Sequence, residues 1–330
     1  MNPQPIVFDA LLPKDMAAKA ENLGEAKVKL GIFRMFAMAV LAGGFIAMGA
    51  IFATTVIAGG GVPYGVSRLL AGLVFSLGLI LVIVAGAELF TGNNLIVMAW
   101  ASGKVNTSAL LRNWLIVYVG NFMGSLATAY FVFLSRQHTF GDGAIGLAML
   151  KIGVAKASLD FVPAVALGIL CNALVCMAVW LCFSARTTSD KILCIIPPIS
   201  AFVAAGFEHC VANMYFIPMA LFVKNLDPTF FAKVATDPKV MWESLTWTNF
   251  LLKNLVPVTI GNTIGGTFMV GLAYWFIYLR PSWTHNPKGA IPTTANQVAG
   301  LVPLAVENEY VQERVMQSER YEPDKDAPKP

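Results

Sequence analysis

Residues 204–220 read AAGFEHCVANMYFIPMA and set Glu208 and His209 in the middle of about 30 otherwise apolar residues running from Ile192 to Val223. An ionisable group at bilayer depth costs from about 2.5 kcal/mol upward, so such a pair lines a cavity or pathway instead of facing lipid. Gly206 before the pair and Pro218 after it predict a helix interrupted at that depth, its loosened backbone turned towards a cavity. The plain alternative is a histidine that only packs and hydrogen-bonds inside a helix bundle.

The chain around this stretch is equally apolar. Of its 330 residues 57% are hydrophobic and 13% charged, and the mean hydropathy is +0.66, which excludes an ordinary soluble domain. Runs long enough to cross about 30 Å of hydrocarbon fall near residues 32–58, 67–100, 111–135, 160–184, 192–222 and 251–279. The expected fold is an all-α polytopic membrane protein of six transmembrane helices, the second and fifth broken midway, its transmembrane domain covering residues 32–280. A net charge of +4, with no dense basic run, excludes a nucleic-acid partner and leaves membrane lipids as the expected surroundings. The five cysteines, Cys171, Cys176, Cys182, Cys194 and Cys210, all fall in spans and lack a C-x-x-C spacing, so neither a disulfide framework nor a zinc site is expected. Of His138, His209 and His285 only His209 lies in a span, which leaves no axial pair for a membrane haem. The expectation is a protein with no cofactor, no metal and no enzymatic activity.

Residues 1–31 carry Lys14, Lys19, Lys27 and Lys29, with Phe8, Leu11, Leu12, Met16 and Leu23 at near-helical spacing. They predict an amphipathic helix on the cytoplasmic surface, open to a cytoplasmic partner, and have no cleavable-signal pattern. Lysine and arginine gather before span one, with Arg34 at its edge, and Lys104, Arg112, Arg186 and Lys191 follow spans two and four. The opposite loops also carry Lys151, Lys156, Lys224, Lys233 and Lys239 but are longer and weigh less, so both termini are expected in the cytoplasm. Residues 281–330, closing in EPDKDAPKP, read as a mostly disordered cytoplasmic tail.

The two halves echo one another. Gly86-Ala-Glu88-Leu-Phe-Thr-Gly-Asn93 and Gly206-Phe-Glu208-His-Cys-Val-Ala-Asn213 share a G-x-E-x-x-x-x-N frame. Asn113 stands before Gly120-Asn121-Phe-Met-Gly124 as Asn254 stands before Gly261-Asn262-Thr-Ile-Gly265. Two echoes in one order predict a duplicated three-helix unit, and an odd number of crossings makes the second copy inverted. Inverted repeats with paired broken helices are a transport architecture, with a site near the midplane whose free helix ends offer N–H donors to an anion.

These motifs, with Phe75-Ser-Leu-Gly-Leu79, Gly168-Ile-Leu-Cys-Asn172 and Pro257-Val-Thr-Ile-Gly-Asn262, resemble the formate/nitrite transporter family, most closely its formate channel branch, over roughly residues 8–280. The resemblance implies an aquaporin-like protomer in a homopentamer of the bacterial inner membrane, one pore per subunit, carrying formate and similar small monovalent anions by a passive or proton-coupled route. It implies His209 as the pore histidine and proton relay, Thr91 as its partner, Asn172 and Asn262 as its polar neighbours, and Lys156, at the head of span four, as the charge that gathers anions. Phe75, Leu79, Leu89, Phe90 and Phe202 would be the constrictions, although the same residues serve equally as core. Thr91 could instead cap the second half-helix, and Glu88 and Glu208 read best as buried ligands of the broken backbone. Nitrite, hydrosulfide, acetate and lactate stay open as cargo. A neutral-solute facilitator is the alternative on the same fold. Protease added outside sealed right-side-out vesicles is expected to spare the C-terminal tail, and its loss would reverse the orientation.

Overall fold

The computed structural model describes residues 10–58 and 60–280. The tail over 281–330 and Phe8 lie outside the described residues. The chain opens with α1 (Pro13–Val28), which starts on a proline whose missing N–H would have had no helical partner there. Two crossings follow, α2 (Ile32–Ala58) and α3 (Tyr64–Val84). The chain then unwinds and resumes as α4 (Phe90–Asn93), a 3-10 turn over Asn94–Ile96 and α5 (Val97–Ala101). α6 (Thr107–Leu134) returns, its first turn capped by Asn106, whose side chain accepts the Ala109 N–H at 2.8 Å.

The second half runs through α7 (Ala144–Ala157), α8 (Phe161–Ser184) and α9 (Thr188–Ala205). Thr187 and Asp190 cap α9 reciprocally, the Thr187 hydroxyl accepting the Asp190 N–H at 3.1 Å and the Asp190 carboxylate the Thr187 N–H at 2.9 Å. After a second unwound turn come α10 (Cys210–Leu226) and the short α11 (Pro228–Val234). The last span, Asn249–Tyr278, sets α12 (Val256–Ile264) between π-helical stretches Asn249–Leu255 and Gly265–Leu272 and ends in α13 (Ala273–Tyr278). Among the described residues six helices are long and apolar enough to cross a membrane. Their outward residues, such as Leu115, Phe131, Phe268 and Ile277, are exposed and apolar, as a lipid-facing or subunit-facing surface requires.

Three features differ from the sequence reading. α10 runs straight through Pro218, so only Gly206 marks the interruption. The stretch read as a long loop before span four contains α7, whose glycines and alanines pack it against α10. α1 does not stand apart as a surface segment: Met16, Ala17 and Ala20 are buried against Met98 and Trp180, and Gly24 lies against Ile96 and Ala99. The repeating unit is thus a helix followed by three crossings, with α1 and α7 as its leading members.

Without a hydrophobic drive between helices in lipid, close backbone approach supplies the packing. α6 meets α2 through Gly124, where an added Cβ would overlap the Val40 carbonyl oxygen, and the π-helical stretch after α12 meets α8 through Gly265 against the Ile169 carbonyl in the same way. Gly124→Ala is expected to cost about 1–3 kcal/mol by forcing the helices apart. Gly44→Ala, whose new methyl would find only Thr128 Oγ1 at 3.4 Å, is expected to be nearly neutral. Thermal unfolding of the detergent-solubilised variants checks the contrast.

Candidate functional site

The site begins with two glycines. Gly86 (φ +82°) and Gly206 (φ +77°) adopt the left-handed backbone that ends α3 and α9, and the chain runs extended before the next helix starts. Inside a membrane the freed N–H and C=O groups need protein partners. Asn121 and Asn262 supply them in matched sets. Asn121 Nδ2 donates to Ala39 O (2.7 Å) and Glu88 O (2.9 Å), while its Oδ1 accepts the Phe90 N–H (2.9 Å). Asn262 Nδ2 donates to Gly168 O and Glu208 O, both at 2.8 Å, and its Oδ1 accepts the Cys210 N–H at 2.8 Å. Glu88 N–H and Glu208 N–H reach Met38 O and Leu167 O, each at 3.3 Å.

The two acids are doubled in the same way. Glu88 accepts from Lys27 Nζ and from Asn93 Nδ2, both at 2.7 Å, and Asn93 also donates to Asn113 at 2.9 Å. Glu208 accepts from Lys156 Nζ (2.7 Å), Asn213 Nδ2 (2.6 Å) and Asn254 Nδ2 (3.2 Å). Lys156 sits in the last turn of α7, ahead of span four, and its ammonium is spent on Glu208. Lys27, its counterpart at the end of α1, escaped the sequence reading. The signal was present: Gly24-Glu-Ala-Lys27-Val-Lys-Leu30 and Gly153-Val-Ala-Lys156-Ala-Ser-Leu159 share G-x-A-K-x-x-L.

His209 occupies the N-cap of α10. Its Nδ1 accepts the Ala212 N–H at 3.1 Å, and its Nε2 lies 3.1 Å from Thr91 Oγ1. A backbone N–H can only donate, so Nδ1 carries no proton and the neutral ring is the Nε2–H tautomer, donating to Thr91. Thr91 stands within the first turn of α4 and does not cap it, the N-cap being Leu89. This one bond therefore joins the first turns of the two half-helices. The His209 ring nitrogens bond to Thr91 and Ala212, and the side chains of Asn172 and Asn262 bond to the surrounding backbone instead. Asn172 Nδ2 reaches Thr91 O (3.3 Å), Asn94 Oδ1 (2.7 Å) and Asn262 O (2.6 Å), and so holds the backbone on which Thr91 rides.

A cavity lies on each side of this centre. One of about 270 Å³ is lined by Arg68, Phe75, Lys156, Phe202, Glu208 and His209. The other, of about 370 Å³, is lined by Lys19, Lys27, Leu79, Ile83, Leu89 and Asn93, among others. The first takes residues from the N-terminal half of α3 and the second from its C-terminal end, and a helix of that length covers about 30 Å, so they open towards opposite faces. Phe75 and Leu79, one turn apart, stand between them. Phe202 stacks at 5.9 Å on the His209 ring and meets Phe75 edge-on at 5.7 Å. Phe90 is not part of this group: its ring packs on Tyr118 (5.0 Å) and Trp114 (6.2 Å), against α6, and lines neither cavity.

Six crossings in two matched halves, with opposed cavities meeting at a polar centre inside apolar walls, define a multi-pass membrane transport protein. A family profile described as Formate/nitrite transporter matches residues 14–276. The chain belongs to the formate/nitrite transporter family. Formate channel FocA of Escherichia coli (strain K12) is 44% identical over 280 residues, covering 84% of this chain and 98% of that one. Formate channel FocA of Haemophilus influenzae is 41% identical over 265 residues, covering 80% and 93%. A solved structure titled "Pentameric formate channel with formate bound" superposes with TM-score 0.71 at 44% identity, covering 76% of this chain and 98% of that chain. A second, titled "FNT family ion channel", gives 0.68 at 26% identity, covering 80% and 98%.

Removing one partner of a buried ion pair strands the other. Lys156→Met is expected to destabilise the protein by about 3–5 kcal/mol, and adding Glu208→Gln should recover part of that loss. Thermal unfolding of the single and double variants measures both.

Proposed function

We propose that this protein conducts formate and related small monovalent anions through one pore in each protomer of a homopentamer in the inner membrane, with both termini in the cytoplasm. The relatives named for formate support the cargo and the assembly. The observation that carries the reading is the bond between His209 Nε2 and Thr91 Oγ1, which puts a titratable ring at the point where both half-helices begin.

Magnitudes favour passage as the acid. Moving a carboxylate into a low-dielectric medium costs on the order of 20 kcal/mol in the ideal limit, and several kcal/mol after relaxation. Protonating a carboxylate of pKa about 4 at pH 7 costs only about 4 kcal/mol. The apolar walls of Phe75, Leu79, Leu89 and Phe202 impose part of the first cost, so a proton lent at His209 is the cheaper route.

The ring's bonds say how the loan proceeds. A second proton enters at Nδ1, which releases the Ala212 N–H at a cost of about 1 kcal/mol. The imidazolium then gives its Nε2 proton to the anion, and neutral formic acid passes the wall. The ring is left as the Nδ1–H tautomer, which sets a donor against the Ala212 donor. A fresh proton taken up at Nε2 restores the imidazolium, and loss of the Nδ1 proton, favoured by that mismatch, then returns the ring to the capped Nε2–H form. Thr91 orients the ring, while Asn172 fixes the backbone that carries Thr91 and Asn262 the backbone on either side of His209.

His209→Asn keeps a short polar side chain able to cap α10 but cannot titrate. In proteoliposomes it is expected to retain a pentameric mass while losing the pH dependence and the proton stoichiometry of formate flux. An unaltered pH profile and stoichiometry would remove the relay.

A further inference from the structure

The charge in the cavity beside His209 does not sit where the sequence suggested. Its ionised lining residues are Arg68, Lys156 and Glu208. Lys156 and Glu208 are 2.7 Å apart and cancel. Arg68, on α3, has no acidic partner among the described residues: its Nη2 donates to Val203 O and its Nε to Ala204 O (3.5 Å), the last carbonyls of α9. A guanidinium carries five N–H donors, so these two bonds leave three for the cavity, together with the whole positive charge.

We propose that Arg68 is the docking site for the permeating carboxylate, an inference that rests on the anion-conducting reading above. A planar guanidinium matches a carboxylate in a two-bond fork. Lys156 could make such a contact only by giving up Glu208. Arg68 lies seven residues before Phe75 on one helix, so the anion is held about 10 Å ahead of the apolar wall. Bonding to two carbonyls fixes the guanidinium at the α9 terminus, whose own partial charge is negative. Without Arg68 the cavity would keep a neutral ion pair and a negative helix end, and the sign of its field would turn against an anion. The opposite cavity holds three lysines: Lys27 is paired with Glu88, Lys19 Nζ rests 2.9 Å from Phe183 O near the end of α8, and Lys191 lines the wall beside them.

The test is formate uptake into proteoliposomes over a range of formate concentration and ionic strength, for the native protein, Arg68→Gln and Arg68→Lys. Absence of flux through the native protein would overturn the conduction reading itself, whereas native flux isolates the role of Arg68. Arg68→Gln is expected to raise the half-saturating formate concentration roughly fivefold or more, to leave the saturated rate unchanged and to flatten the salt dependence. Arg68→Lys, which keeps the charge but loses the two-bond fork, should fall between native and Arg68→Gln in half-saturation while keeping the native salt dependence. A native half-saturation in Arg68→Gln, or an Arg68→Lys protein as impaired as Arg68→Gln, would reduce Arg68 to a helix cap and overturn the proposal. Should Arg68→Gln fail to assemble, Arg68→Lys decides alone: a raised half-saturation with the native salt dependence upholds docking, and a native half-saturation overturns it.

Discussion

Every polar backbone group exposed by a broken helix inside a membrane must find a protein partner, since lipid offers none. Asn121 and Asn262 meet that demand at the two breaks, each giving two N–H donors and one carbonyl acceptor from one short amide. The fold follows from bringing those amides within reach. The asparagines sit on the spans that must lie against the breaks, and Gly124 and Gly265 let those spans approach their neighbours backbone to backbone. An alanine at either asparagine would leave a donor and two acceptors unpaired in a dry interior, each worth about 1–3 kcal/mol.

The lysine–glutamate pairs are the second layer of the same solution. Glu88 and Glu208 follow directly on the unwound turns, and burying either acid alone would be prohibitive. Each therefore receives a lysine from the helix that leads its repeat, with an asparagine pair beneath it. Pairing of this kind fixes geometry more than it stabilises, because desolvation consumes much of the Coulombic gain. It also sets each of Lys27 and Lys156 against a carboxylate of opposite charge.

What the sequence revealed depended on contrast. Glu208 and His209 stood out because an apolar run makes any polar residue conspicuous, and the G-x-E-x-x-x-x-N frame recurred because the two breaks face one constraint. The helix leading each repeat was less visible. α7 is short and its surroundings polar, so hydropathy alone passed it over, and Lys27 read as one basic residue among several before the first span. Phe90 followed a motif but its ring turned towards Tyr118, a rotamer choice that only three-dimensional packing decides. Arg68 could not be singled out from spacing, because its lack of an acidic partner among the described residues depends on where Glu208 and Lys156 meet.

The duplicated scaffold also locates the chemistry by where it fails to repeat. The glycine, glutamate, lysine and asparagine positions match across the halves with near-equal bond lengths, as expected of a framework. The residue after each glutamate does not match. In one half it is Leu89, an N-cap with no side-chain bond, and in the other it is His209, which caps α10 through Nδ1. A leucine at the second position would leave the Ala212 N–H unpaired and the fold otherwise intact, so capping alone is a small reason for a histidine. The other ring nitrogen, turned to Thr91 across the repeat boundary, has no counterpart in the first half. In the relay proposed above, a titratable ring at the join of two matched halves would serve both mouths equally.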